Sequence, residues 1–161
     1  MSTTSATVPS AAIQRQLPFL IAGIAYTIAG GMLAAATAFT TTEKTAWATA
    51  YIVLIGGVVQ VALGAALAIL APESDARWKW GIFALFNLGN VGVLVGQLTA
   101  TVLVTDAATV ALAASLAWAL VATRQGSGRP EHRGWLLAFR ILLVFLAVSM
   151  VTGVVLAQIG L

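Results

Sequence analysis

This chain of 161 residues has no cysteine, one histidine and few charged residues. Without cysteine it can form no disulfide, no thiolate nucleophile and no sulfur-ligated metal site. A single histidine excludes a haem held by two histidines of this chain. Only 8% of the residues are charged, against about 25% in soluble domains, so the composition excludes an ordinary water-soluble protein. The net charge of +3 is too small to indicate a nucleic-acid partner.

What the chain has instead is apolar sequence: 60% of its residues are hydrophobic, and its mean hydropathy is +1.00. A bilayer core of roughly 30 Å needs about 20 apolar residues in a helix. The long apolar runs therefore predict an all-α integral membrane protein, a bundle of five transmembrane helices within residues 17–161. The predicted spans are 17–39, 46–71, 80–104, 107–123 and 135–160.

The division of residues 80–123 is the weakest part of this scheme, because a run of 44 residues is too long for one crossing and suits two. Thr105 or Asp106 can cap a new helix, which places the predicted boundary there. Were the run a single span, the bundle would have four. A loop with glycine and proline, residues 125–130, separates the last two spans.

Lysine and arginine near the ends of the spans predict the orientation, since positive charge is retained in the cytoplasm. With the N-terminus inside, seven basic residues lie on the cytoplasmic side and only Lys44 lies outside. The C-terminus is then outside. Residues 1–16, rich in serine, threonine and alanine, are predicted to form a flexible cytoplasmic arm. The first apolar run exceeds the h-region of a signal peptide and is interpreted as a retained anchor.

Aromatic and basic residues cluster at the predicted inner interface. Trp78 and Trp80 lie where indole rings prefer to sit. Arg77, Lys79 and Arg140 are predicted to form an inner rim that contacts anionic lipid headgroups, with Arg140 extending back to them from inside the fifth span.

Small residues recur at four-residue spacing in the spans, and such rows let helix backbones approach in lipid. The glycines predicted to pack helices are Gly56, Gly64, Gly89, Gly92 and Gly96. Because the chain has 32 alanines, single rows also arise by chance. Together the rows favour a tight bundle, or docking onto helices of other subunits. Glycine faces covered only by this chain's own helices, with no partner, would count against a function as a subunit of a larger complex.

The third span carries amides on one face and glycines on the other. At about 100° per residue, Asn87, Asn90 and Gln97 fall within one sector about 80° wide. Gly89, Gly92 and Gly96 lie nearly opposite, which predicts a central or bridging helix. Gln60 of the second span lies near the same depth as Asn90. Since an unpartnered amide in hydrocarbon is costly, we predict that Gln60 is hydrogen-bonded to Asn87 or Asn90, either to fix helix register or to line a polar path.

The spans carry no Asp, Glu, Lys or His apart from Asp106, which disfavours a proton-coupled transporter or pump. No nucleotide-binding, metalloprotease or serine-hydrolase motif is present, so we expect no enzyme, no cofactor and no metal. The favoured function is a non-catalytic subunit of a larger membrane complex, respiratory or envelope, in a bacterial plasma (inner) membrane. Its partners would be other membrane subunits or lipids. One alternative is a homo-oligomeric passive channel for a small neutral or polar solute, lined by Gln60, Asn87, Asn90 and Gln97. A third is a lipid- or quinone-binding protein that uses the Trp78/Trp80 rim.

Overall fold

The structure, a computed structural model, describes residues 14, 16–71, 75–124 and 133–159, with side chains in the last segment described for 134–146 and 148. These residues form five helices. They are α1 (Leu17–Ala36), α2 (Glu43–Leu70), α3 (Ala76–Leu98), α4 (Val102–Arg124) and α5 (Arg133–Ile159). No strand occurs in these ranges.

The helices α1 to α4 are each long and apolar enough to cross a membrane. At 1.5 Å per residue, the 20 residues of α1 span about 30 Å, the thickness of the hydrocarbon core. In α5 the apolar stretch with described side chains is Gly134–Leu146. The chain is therefore an all-helical, multi-pass membrane protein. The predicted arm, apart from Gln14 and Gln16, and the loop 125–130 lie outside the described residues.

Helices begin earlier than their apolar runs because polar caps precede them. The helix α2 begins at Glu43 and not at 46, since Thr42 and Thr45 form a reciprocal capping box. The helix α3 begins at Ala76 and not at 80, since the Asp75 side chain accepts a hydrogen bond of 3.1 Å from the Arg77 N–H. Counting apolar residues alone misses these first turns.

The predicted boundary at Thr105–Asp106 is wrong, because α3 ends at Leu98 and α4 begins at Val102. The Thr101 N–H donates to Gly96 O at 2.8 Å and the Ala100 N–H to Gln97 O at 3.3 Å. This pair of bonds is a Schellman motif, which satisfies the last carbonyls of a helix. Its left-handed position holds Ala100, at φ 54°, where glycine is usual. Asp106 lies exposed within α4.

The four long helices form two hairpins that are packed through glycines. In the first hairpin, a Cβ on Gly56 of α2 would lie 2.8 Å from the Tyr26 ring of α1, and one on Gly64 would lie 2.7 Å from Phe19 Cβ. In the second, a Cβ on Gly89 of α3 would lie 2.7 Å from Leu112 Cγ of α4. Both seams need glycine, because any side chain would separate the helices.

The hairpins meet over one continuous core of apolar side chains. Leu63, Leu67 and Leu70 of α2 share this core with residues of α3 and α4, and Phe139 of α5 joins it. The helix α3 contacts α4 along its glycine face and α2 through Asn90. Asn90 thus links the second hairpin to α2, and α4 of the same hairpin also packs against α2.

The middle of α2, Ile52–Val59, is a π-helix. Each such turn closes i→i+5 hydrogen bonds in place of i→i+4 bonds, an arrangement that is rare and often lies beside a functional site. Gln60 is the first α-helical residue after it.

Candidate functional site: the polar groups within the spans

Asn90 is the central polar group of the bundle and is fully buried, with 0% of its surface exposed. Its Oδ1 accepts a hydrogen bond of 3.0 Å from the Tyr51 hydroxyl of α2. Its Nδ2 donates to Phe86 O, one turn earlier in α3, at 3.0 Å. Tyr51 in turn stacks on Trp47, with ring centroids 5.2 Å apart. Asn90 thus joins the two hairpins, and both ends of its amide are bonded within the chain.

Asn87 makes the same kind of bond. Its Nδ2 donates to Phe83 O at 2.8 Å, and the side chain is half-buried. Gln97, near the end of α3, is also half-buried. The two asparagines therefore bond the α3 backbone, which is how an amide satisfies itself inside a membrane helix.

The hydrogen bond predicted between Gln60 and Asn87 or Asn90 is wrong. Gln60 is buried with 0% exposed, and neither Nε2 nor Oε1 has a hydrogen-bond partner in the described part of the chain. The reason is its place on α2. Its neighbours Val61 and Gly64 contact Gly23 and Phe19 of α1, so Gln60 lies at the level of the α1–α2 seam. The asparagines instead bond backbone and Tyr51.

Two further polar side chains have buried atoms without a hydrogen-bond partner among the described residues. The side chain of Gln16, just before α1, is 1% exposed, and both polar atoms of its amide are unpaired. The Thr49 hydroxyl of α2 is also buried and unpaired. Sequence reasoning placed Gln16 in the flexible arm. It also passed over Tyr51, for which a phenolic hydroxyl in an apolar span was the available signal.

Other hydroxyls in the spans donate hydrogen bonds to backbone carbonyls of their own helices. Thr27 donates to Gly23 O at 2.9 Å, Thr109 to Thr105 O at 2.8 Å, and Ser115 to Leu112 O at 2.7 Å. Such bonds satisfy the hydroxyl without a second helix. Together with Asn87 and Asn90, they leave Gln60 and Thr49 as the described span residues with buried unpaired side-chain atoms.

The five predicted packing glycines all meet this chain's own helices. Gly56 and Gly64 face α1, whereas Gly89, Gly92 and Gly96 face Leu112, Ala108 and Thr105 of α4. By the criterion set out from the sequence, this outcome counts against a function as a subunit that buries these glycine faces on partner helices. Gly31 of α1 differs, because a Cβ there would meet no atom of the described residues within 4 Å.

Of the three residues of the predicted inner rim, two are exposed and one is buried. Arg77 and Arg140 are exposed, as expected for lipid contact, but only 4% of Lys79 is exposed. Trp78 packs edge-to-face on Trp118 of α4, with centroids 5.5 Å apart, and this indole covers Gly81. We call this end of the bundle, where α1 and α3 begin and α4 ends, the basic end; it carries Arg77, Lys79 and Arg124.

Among the residues that the structure describes, no group of three or more His, Asp or Glu is placed to hold a metal ion. The chain matches no family model, no curated protein and no solved structure.

Proposed function

We propose that this chain is a non-catalytic integral membrane subunit that packs beside other membrane proteins in a larger complex. The observation that carries the non-catalytic part is the closure of Asn87 and Asn90 onto Phe83 O, Phe86 O and Tyr51. Both polar ends of the Asn90 amide are thereby bonded within the chain, and each asparagine braces its own helix.

The outer face of α1 supports the partner part of the proposal. Ile21, Ile24, Ile28 and Met32 are each more than half exposed, and Gly31 beside them has open space. Glycine inside a helix costs roughly 0.5–1 kcal/mol relative to alanine. The packed glycines offset that cost by letting a neighbouring helix approach. Gly31 has no such neighbour among the residues that the structure describes. A helix of another subunit would supply it.

Gly31→Leu tests this proposal, with Gly31→Ala as the matched control. The wild-type chain, tagged and extracted in mild detergent, should migrate with stoichiometric partners on native gels, identified by mass spectrometry. The leucine variant should fold, because no atom of the chain is displaced, yet lose those partners. A wild-type chain that runs alone, or a leucine variant that keeps its partners, would contradict the proposal.

The unpartnered Gln60 favours a second candidate, the homo-oligomeric passive channel for a small neutral or polar solute. In this alternative, Gln60 and the partly buried Gln97 would line the path with Asn87 and Asn90. The test is solute flux into proteoliposomes for Gln60→Leu and Asn90→Leu. Unchanged flux in both folded variants would remove the candidate.

For topology, we propose five spans in a bacterial plasma membrane, with the N-terminus cytoplasmic and the C-terminus outside. The support is the concentration of arginine and lysine at the basic end against Lys44 at the other. Because the chain has no cysteine, single cysteines report accessibility directly. A membrane-impermeant maleimide should label Thr41→Cys in intact cells and leave Gln125→Cys unlabelled; the reverse pattern would invert the topology.

A further inference from the structure

The middle of α2 holds more residues than a regular α-helix would place there. Ile52–Val59 is π-helical over eight residues, whereas π-helical segments inside α-helices are mostly single turns. We call these residues the wide segment. Because each i→i+5 bond encloses one residue more than an i→i+4 bond, the wide segment holds about one residue more than an α-helix needs to connect its two ends. It ends at Gln60, whose N–H donates to Gly57 O, and α-helix follows.

The two ends of α2 are held by different contacts. Before the wide segment, the Tyr51 hydroxyl donates to Asn90 Oδ1 of α3 at 3.0 Å. After it, the buried side chain of Leu70 belongs to the apolar core. The wide segment itself contains Gly56 and Gly57, whose backbones change conformation more readily than those of residues with a side chain. The middle of α2 can therefore rearrange while both ends stay in place.

Gln60 is the residue on which such a rearrangement would act. Its side chain is fully buried, and neither polar atom of its amide has a hydrogen-bond partner among the described residues, which costs free energy. If the wide segment moved past Gln60, that residue would turn by about 100° and take the place that Val61 now holds. This place is half-buried and lies at the α1 seam, because a Cβ on Gly23 would lie 2.6 Å from Val61 Cγ2.

We propose that α2 has two registers, between which the wide segment moves past Gln60. In the register that the structure describes, the Gln60 amide is buried and unpaired. In the other, the amide lies beside Gly23 of α1 and is only half-buried. The wide segment is thus a conformational device that changes the side chain presented to α1 while the bond between Tyr51 and Asn90 is kept. The inference does not rest on the proposed subunit function, because it needs no partner chain.

The test is hydrogen–deuterium exchange of the full chain in mild detergent, followed by mass spectrometry over residues 52–61. Residues 108–117 of α4, which are α-helical throughout, serve as the internal reference. We expect residues 52–61 to exchange roughly tenfold faster than the reference, because each shift breaks and remakes their hydrogen bonds. Gln60→Met removes the unpaired amide from the first register and should slow this exchange about fivefold, whereas Gln97→Met should leave it unchanged.

Deletion of Val58, an exposed residue of the wide segment, tests the extra residue itself. The deletion keeps both glycines and both ends of α2, so α2 should become α-helical throughout and its exchange should fall to the reference rate. Deletion of Leu88, an exposed residue of the α-helical α3, is the matched control. It turns one half of α3 by about 100° against the other and should lower the unfolding midpoint, which the Val58 deletion should not do.

Three results would overturn the proposal. The first is exchange at the reference rate over residues 52–61 of the wild-type chain. The second is equal exchange in the wild-type and the folded Gln60→Met protein, which would show that the motion does not depend on the amide. The third is a Val58 deletion that unfolds as readily as the Leu88 deletion, or that folds and keeps the fast exchange, which would assign the exchange to the two glycines alone.

Discussion

Replacing Gln60 by methionine should raise the free energy of unfolding by about 1 kcal/mol. The Gln60 side chain is fully buried and both of its amide atoms lack partners. In proteins, burying an unpaired amide costs roughly 1–3 kcal/mol. Methionine is unbranched, similar in length and apolar, so it fills the same space without that cost. The lower end of the range applies, because an amide on a separated helix in a micelle also lacks strong partners.

The assay is reversible unfolding in mixed micelles of mild detergent and sodium dodecyl sulfate, followed by tryptophan fluorescence. Gln97→Met is the matched control. Gln97 is only half-buried, so its amide reaches solvent or headgroups and its replacement should change the free energy by less than about 0.5 kcal/mol. The difference between the two variants isolates the cost of the unpaired amide at Gln60.

A Gln60→Met variant that is destabilised by about 1 kcal/mol or more would refute this reasoning. Such a loss would mean that the amide is hydrogen-bonded in the membrane, to a water, a solute or a second chain. It would also strengthen the channel alternative, in which the same amide lines a polar path.

Three further predictions concern the backbone at Ala100, the bond at Tyr51 and the α3–α4 seam, the last with Gly31→Val as its control. Ala100→Gly should stabilise the protein by roughly 1 kcal/mol, because the left-handed conformation at φ 54° is costly for an L side chain and free for glycine; unchanged or lower stability in the same unfolding assay would show that Ala100 is not strained. Tyr51→Phe should cost about 0.6–1.5 kcal/mol by leaving Asn90 Oδ1 without its hydroxyl donor, and an unchanged midpoint would count against this link between the hairpins. Gly92→Val should destabilise the protein by about 1–3 kcal/mol, because even its Cβ would lie 2.6 Å from Ala108 Cβ. The control Gly31→Val, in open space, should change the free energy of unfolding by less than about 0.5 kcal/mol. Similar values for both variants would remove the argument for a tight α3–α4 seam.

The sequence was sufficient to predict the helical membrane class, because span length and hydropathy follow directly from bilayer thickness. The helix ends were less predictable. Thr42 and Asp75 extend their helices by polar caps that a count of apolar residues ignores. The turn at Ala100 contains neither glycine nor proline, so no residue type in the sequence marks its Schellman motif.

The sequence predicted which polar residues lie within the spans, but not which hydrogen bonds they make. The four-residue rows indicated that glycines pack, yet spacing on one helix cannot say which helix lies opposite. Asn90 was correctly expected to be satisfied, but its partners are Tyr51 and a backbone carbonyl. The burial of Lys79 was not predictable either, because it depends on how α1 and α3 pack together, and no local sequence pattern determines that packing.

The pairing of the spans into two glycine-seamed hairpins has a consequence for biogenesis. Each hairpin brings its tightest contacts within one short stretch of chain, so the first can close in the bilayer while the second is still being synthesised. The two hairpins share one apolar core, to which Leu63 and Leu67 of the first and Phe86 and Leu112 of the second belong. Tyr51 and Asn90 add a directional hydrogen bond between them. A gene divided within the connection at residues 72–74 should therefore yield two fragments that insert separately and reassemble. A division within a hairpin, between α3 and α4, would separate Gly89 from Leu112. One fragment would then have the glycine face of α3 open, and the other would have the face of α4 that carries Ala108 and Leu112 open.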